Sequence, residues 1–299
     1  MRSALAVLAT SLLLQAQAPP PTEVYLAQAG RDDTPSITNA VNISNNPGYD
    51  NQPSFTPDGK AVLFTSNRDG KQTDIYRYDI ATKILTQLTH TPESEYSPLV
   101  TPDGTTFSVI RAEADGTQRL WRFDLDGSNP RLVFDHIKPV GYHAWIDRTH
   151  VAMFILGASG QPATLQIGDT TTGQATTIDS RIGRALAMRP GRKTLTYVVK
   201  PATGPWLIKE WDPATRATTT ICETLEGSED FAWDPVVRDG RLLMAKGPKI
   251  FSWSAASGWR EEGDFAASGI DRITRIAISP DTRAGSAGRL AFVGEPRKQ

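Results

Sequence analysis

Three histidines spaced by seven residues, His136, His143 and His150, are the first feature that could do chemistry, because imidazole is a common metal ligand. On extended chain, seven residues separate neighbours by roughly 20 Å, so the three can share one ion only if a tight fold lies between them. Asp124-x-Asp126-Gly127-Ser128 begins like a calcium loop but lacks the third carboxylate and the distal glutamate, and a turn accounts for it. Nucleophiles are scarce. Cys222 is the only cysteine, and a free cysteine packs as a small hydrophobe. Gly157-Ala158-Ser159-Gly160 lacks the spacing of a Gly-x-Ser-x-Gly elbow. Glu229, Asp230 and His143 remain as groups for metal-assisted hydrolysis or elimination. Arg184 and Arg275 could grip a carboxylate through paired N–H bonds. No catalytic residue, metal site or cofactor is assigned from these patterns.

Composition narrows the partners. The 299 residues carry 32 basic and 33 acidic side chains, a net charge of -1, so no field draws in a polyanion and nucleic acid is excluded as an expected partner. Residues 1–18 read as an export signal: Arg2, an apolar run from Ala4 to Leu14, then Gln15-Ala16-Gln17-Ala18. That run of about eleven residues is shorter than the roughly 20 a membrane-spanning helix needs, so no span is expected after cleavage. The mature chain is expected in the periplasm or outside the cell. A lone cysteine allows no internal disulfide even there, and packing must supply the stability.

The elements that position these residues follow from a repeat. Thr56-Pro57-Asp58-Gly59 returns as Thr101-Pro102-Asp103-Gly104, and Asp74-Ile75-Tyr76-Arg77-Tyr78-Asp79 as Arg119-Leu120-Trp121-Arg122-Phe123-Asp124, both about 45 residues on. Degraded turns follow at Ile146-Asp147-Arg148, Arg189-Pro190-Gly191, Asp234-Pro235 and Ser279-Pro280-Asp281, which makes six. The second motif recurs only at Leu165 to Asp169, Ile208 to Asp212 and Ile250 to Ser254, which makes five. Glu23 to Gln28 has the missing alternation, and Ile37 to Ile43 can follow it. Residues 19–299 are therefore predicted to form an all-β, six-bladed propeller of four-stranded antiparallel blades, its last blade closed by the N-terminal strands. Closure removes open sheet edges.

The runs Pro53 to Lys60 and Phe64 to Gly70, with Asp74-Ile75-Tyr76 and Leu88-Thr89, resemble the WD40-like PD40 repeat of the TolB propeller. The match is close in blades one and two and loose in blades three to five. The resemblance implies an envelope protein that works through protein partners. TolB itself carries an α/β domain ahead of its propeller, whereas this repeat begins near Glu23, so a free-standing propeller is expected. The repeat also resembles the propeller of prolyl oligopeptidases, without a hydrolase half.

Aligning six blades places Gln52, Ser97, Tyr142, Ala185, Asp230 and Arg275 at one level of the channel and Asn51, Tyr96, Gly141, Arg184, Glu229 and Thr274 one residue earlier. From these rings, Asn51, Gln52, Tyr96, Tyr142, His143, Arg184, Glu229, Asp230 and Arg275 are the expected binding residues at the channel mouth. The same charges also read as mutual neutralisation around a wet channel. Binding of a protein or peptide of the cell envelope by a monomer is placed ahead of a hydrolase, lactonase or lyase, or a small-ligand sensor, working in the channel.

Overall fold

The computed structural model describes residues 20–30, 36–235, 240–280 and 288–297. They form six four-stranded antiparallel sheets, five of them meanders of consecutive strands. From the channel outward, blade one runs Asp50–Phe55, Ala61–Ser66, Asp74–Asp79 and Leu85–Gln87. The inner strands of blades two to five are Ser94–Val100, Val140–Trp145, Ile182–Arg189 and Phe231–Asp234. Blade six is built from both ends of the chain: Ile270–Ile278 inside, then Gly288–Pro296, Glu23–Ala29 and Ile37–Asn42. Glu23 pairs with Gly294 and Ala29 with Gly288, seven residue pairs in unbroken register. The N-terminal closure thus stands as expected. The proposed export signal lies outside the described residues, and among those described no helix is long and apolar enough to cross a membrane.

The turn that defines the repeat is held by its own side chains. Thr56 Oγ1 donates to Asp58 Oδ1 at 2.6 Å while Gly59 N closes onto Thr56 O at 2.8 Å, and Thr101, Asp103 and Gly104 repeat both bonds at the same distances. Pro57 and Pro102 preset the turn, and Gly59 and Gly104 take its left-handed corner at φ 67 and 71.

Burial explains why the second strands read as apolar runs instead of alternating. Ala61, Val62, Leu63 and Phe64 are all buried because each blade is covered on both faces by its neighbours. Val62 and Phe64 join Val24, Ala291 and Val293 at the junction with blade six, while Leu63 joins Phe107, Val109 and Phe123 at the junction with blade two. The core is accordingly distributed around the ring, one apolar layer per blade junction among the described residues.

Candidate functional site

Five of the six inner strands break register where they face the channel: between Asn51 and Ser54, Tyr96 and Leu99, Val140 and Tyr142, Ile182 and Leu186, and Thr274 and Ile276. Such bulges re-aim side chains. Gln52, Ser97 and Arg275 sit in them with φ of 56, 54 and 47, a left-handed conformation that costs an L residue about 1 kcal/mol. The outcome is a ring. Gln52, Tyr142, His143, Arg184, Asp230 and Arg275 line one cavity of about 130 Å³ in the channel, together with Ser97 and the apolar Leu99, Leu186, Phe231 and Ile276.

Electrostatics ties the ring together on one side. Arg184 of blade four donates from Nε at 3.0 Å and Nη2 at 2.6 Å to the two oxygens of Asp230, which enters from blade five. Arg275 of blade six donates to the same carboxylate at 2.7 Å. Its other terminal nitrogen donates at 2.6 Å to the Tyr142 hydroxyl of blade three, the blade opposite, and its guanidinium lies 4.9 Å from that ring's centre. A bar of side chains therefore crosses the channel. Burial raises the Asp230 carboxyl to about 6, and the charge and hydrogen bonds of Arg184 pull the other way. Tyr142 is raised by burial as well.

Glu229 completes the network from the rim, where it contacts Arg184 Nη1 at 3.2 Å and Lys200 Nζ at 2.6 Å and accepts from the Arg184 backbone N–H at 3.1 Å. It borders a second, polar cleft of about 300 Å³ between blades five and six, which shares Arg184 and Asp230 with the channel cavity. Gly183 leaves room for it, since a Cβ there would stand 2.7 Å from Glu229 Oε2.

The remaining expected residues are placed differently. Asn51 is buried and turns its Oδ1 onto the Gln52 N–H, and Tyr96 packs on the apolar layer between blades two and three; neither lines the cavity. Gln52 Oε1 accepts from Thr65 Oγ1 and from the Ser97 N–H, which clips blade one to blade two. His143 Nε2 lies 2.7 Å from Ser108 Oγ, which also accepts from Trp145 Nε1 at 2.9 Å. Among the described residues no group of three or more His, Cys, Asp and Glu side chains gathers as a metal site would. Cys222 is partly buried, its thiol pushed up to about 12 by burial.

Sequence reasoning missed two residues. Tyr49, just before the first inner strand, lies within electrostatic reach of Tyr96, Tyr142 and Arg184, and burial raises its phenol. Lys200 follows the second strand of blade four. A signal existed for both, because the loops after each second strand and before each inner strand face the same mouth.

A family model described as the TolB beta propeller domain, PD40, matches residues 11–137. The Tol-Pal system protein TolB of Bordetella pertussis is 39% identical over 49 residues, which is 16% of this chain and only 10% of that protein's own length. A solved putative TolB from Agrobacterium tumefaciens superposes with a TM-score of 0.70 at 15% identity, covering 91% of this chain and 98% of its own. An oligogalacturonate lyase in complex with manganese superposes with a TM-score of 0.58 at 12% identity, covering 93% and 92%. At such identities the two superpositions speak for the fold alone.

Proposed function

We propose that this chain, which is a six-bladed β-propeller of the TolB type, works as an exported interaction module of the cell envelope and binds a protein or peptide across its channel mouth. The observation that carries this reading is the make-up of that mouth. Tyr142, Arg184 and Arg275 line one channel cavity, Tyr49 lies within electrostatic reach of Tyr142, Tyr96 and Arg184 beside it, and tyrosine and arginine are enriched among the residues that dominate binding at protein interfaces. Tyr142, Arg184 and Arg275 are held on inner strands and Tyr49 directly precedes one, so little ordering entropy is spent on contact. The export signal read in residues 1–18 and the TolB relative support a periplasmic location, with the protein working as a monomer.

Catalysis in the channel is the second reading, and it would draw on Glu229, Asp230 and His143. Each of these is engaged: the carboxylates by Arg184, Arg275 and Lys200, the imidazole by Ser108. That engagement favours binding. In a crosslinking pull-down from envelope extract, the wild-type chain should retain a discrete partner that the Tyr49→Ser, Tyr96→Ser variant loses. No partner, or equal capture by the variant, would count against the interface. A stoichiometric divalent ion in the purified protein would reverse the ranking in favour of an enzyme.

A further inference from the structure

Two guanidiniums from different blades close on one carboxylate, and that carboxylate belongs to the chain itself. Arg184 grips Asp230 through two N–H groups, as it would a carboxylate ligand, and Arg275 adds a third bond from the far side. The three residues come from blades four, five and six, so their contacts are not part of any blade's own hydrogen-bond ladder. Arg275 is directed inward at the expense of a left-handed backbone, and its Nε is buried without a hydrogen-bond partner among the described residues. Beside the same side chains the channel widens into its cavity of about 130 Å³, space for several waters or the end of a small ligand.

We infer that Arg184, Arg275 and Tyr142 form a site for an external carboxylate, the C-terminus of a peptide or a small organic acid, which Asp230 fills until the ligand displaces it. The inference deepens, and rests on, the reading of the channel mouth as a binding face. Exchange has an energetic ground. Burial keeps the Asp230 carboxyl up at about 6 despite Arg184, so the pairing does not repay what the acid lost in leaving water. An incoming carboxylate meets donors already oriented for it.

The test titrates acetate, N-acetyl-Gly-Gly and the C-terminal amide of that peptide into the full chain, followed by NMR. Asp230→Asn keeps the shape and removes the internal charge, and it should bind the free acids about tenfold or more tighter than wild type, with the amide unchanged. Adding Arg275→Gln should abolish the gain. A gain confined to the peptide acid assigns the site to peptide termini, and a gain shared with acetate assigns it to small acids. Affinity no greater than wild type, or equal for acid and amide, overturns the inference. Should Asp230→Asn fail to fold, Asp230→Ala is heated in sodium acetate and in sodium chloride of equal ionic strength. A higher midpoint in acetate alone supports the site, and equal midpoints overturn it. Loss of the pull-down partner with the acid titration intact rejects only the partner reading, and the converse rejects only this one.

Discussion

Burial holds the His143 imidazole down at about 3, far below the ordinary histidine value near 6.5. In the unfolded chain it takes up a proton as pH falls through that ordinary value, while in the fold it stays neutral until near 3. Its contribution to stability is therefore full above about pH 6.5 and is lost as pH falls from there toward 3. By pH 5 the loss amounts to about 2 kcal/mol. Asp50 and Glu95 carry the opposite sign, because burial raises their carboxyls to about 6 and about 7 and they favour the fold as pH falls. The informative measurement is thus a difference: urea unfolding of wild type and His143→Phe at pH 8 and pH 5. The stability gap between the two proteins should move in the variant's favour by about 2 kcal/mol on acidification. An unchanged gap would mean that water or a partner reaches the ring. At this scale the repeat put equivalent residues at one radius, and Gln52, Tyr142, Asp230 and Arg275 of that level line the channel cavity whereas Asn51 and Tyr96, one residue earlier, do not. The partners were not legible in the sequence: that Asp230 sits between Arg184 and Arg275, and that Tyr142 reaches Arg275 across the channel, depends on where bulges aim the side chains.

The hairpin turns show how one motif takes on different packing duties. Gly104 and Gly127 both occupy left-handed corners of blade two, at φ 71 and 84. A Cβ at Gly104 would meet nothing within 4 Å, whereas one at Gly127 would stand 1.8 Å from the Leu88 carbonyl oxygen of blade one. Gly104→Ala should cost only the backbone strain, about 1 kcal/mol. Gly127→Ala must also push two blades apart and should cost about 3 kcal/mol, within the range of overpacked positions. Chemical denaturation of the two variants compares them directly, and equal losses would show that the contact with Leu88 yields freely. Strand positions in blade one were readable to within a few residues from turn chemistry and apolar runs. The inner strand of blade one begins at Asp50, three residues ahead of the Pro53 to Lys60 run that marks the repeat, because the bulge lets the chain pair on both sides of its irregular residues.

For the molecule as a whole, the ring depends on its last blade. Removing residues 23 to 44 would strip the outer half of blade six, leave Gly288–Pro296 as an open edge and uncover Val62 and Phe64 at the junction with blade one. Differential scanning calorimetry of that deletion should show loss of the cooperative transition, or a midpoint lowered by well over ten degrees. An unaltered transition would refute the closure. Blade number, strand order and closure were determined by the sequence alone, because a repeat in register dictates equivalent pairing and six inner turns with five outer motifs leave one place for the N-terminal strands. Only the tertiary structure decided what the channel contains. Side chains from blades three, four, five and six meet there across gaps that no local pattern encodes, so whether Arg184 and Arg275 face solvent, a ligand or each other's acid is settled by the ring's geometry.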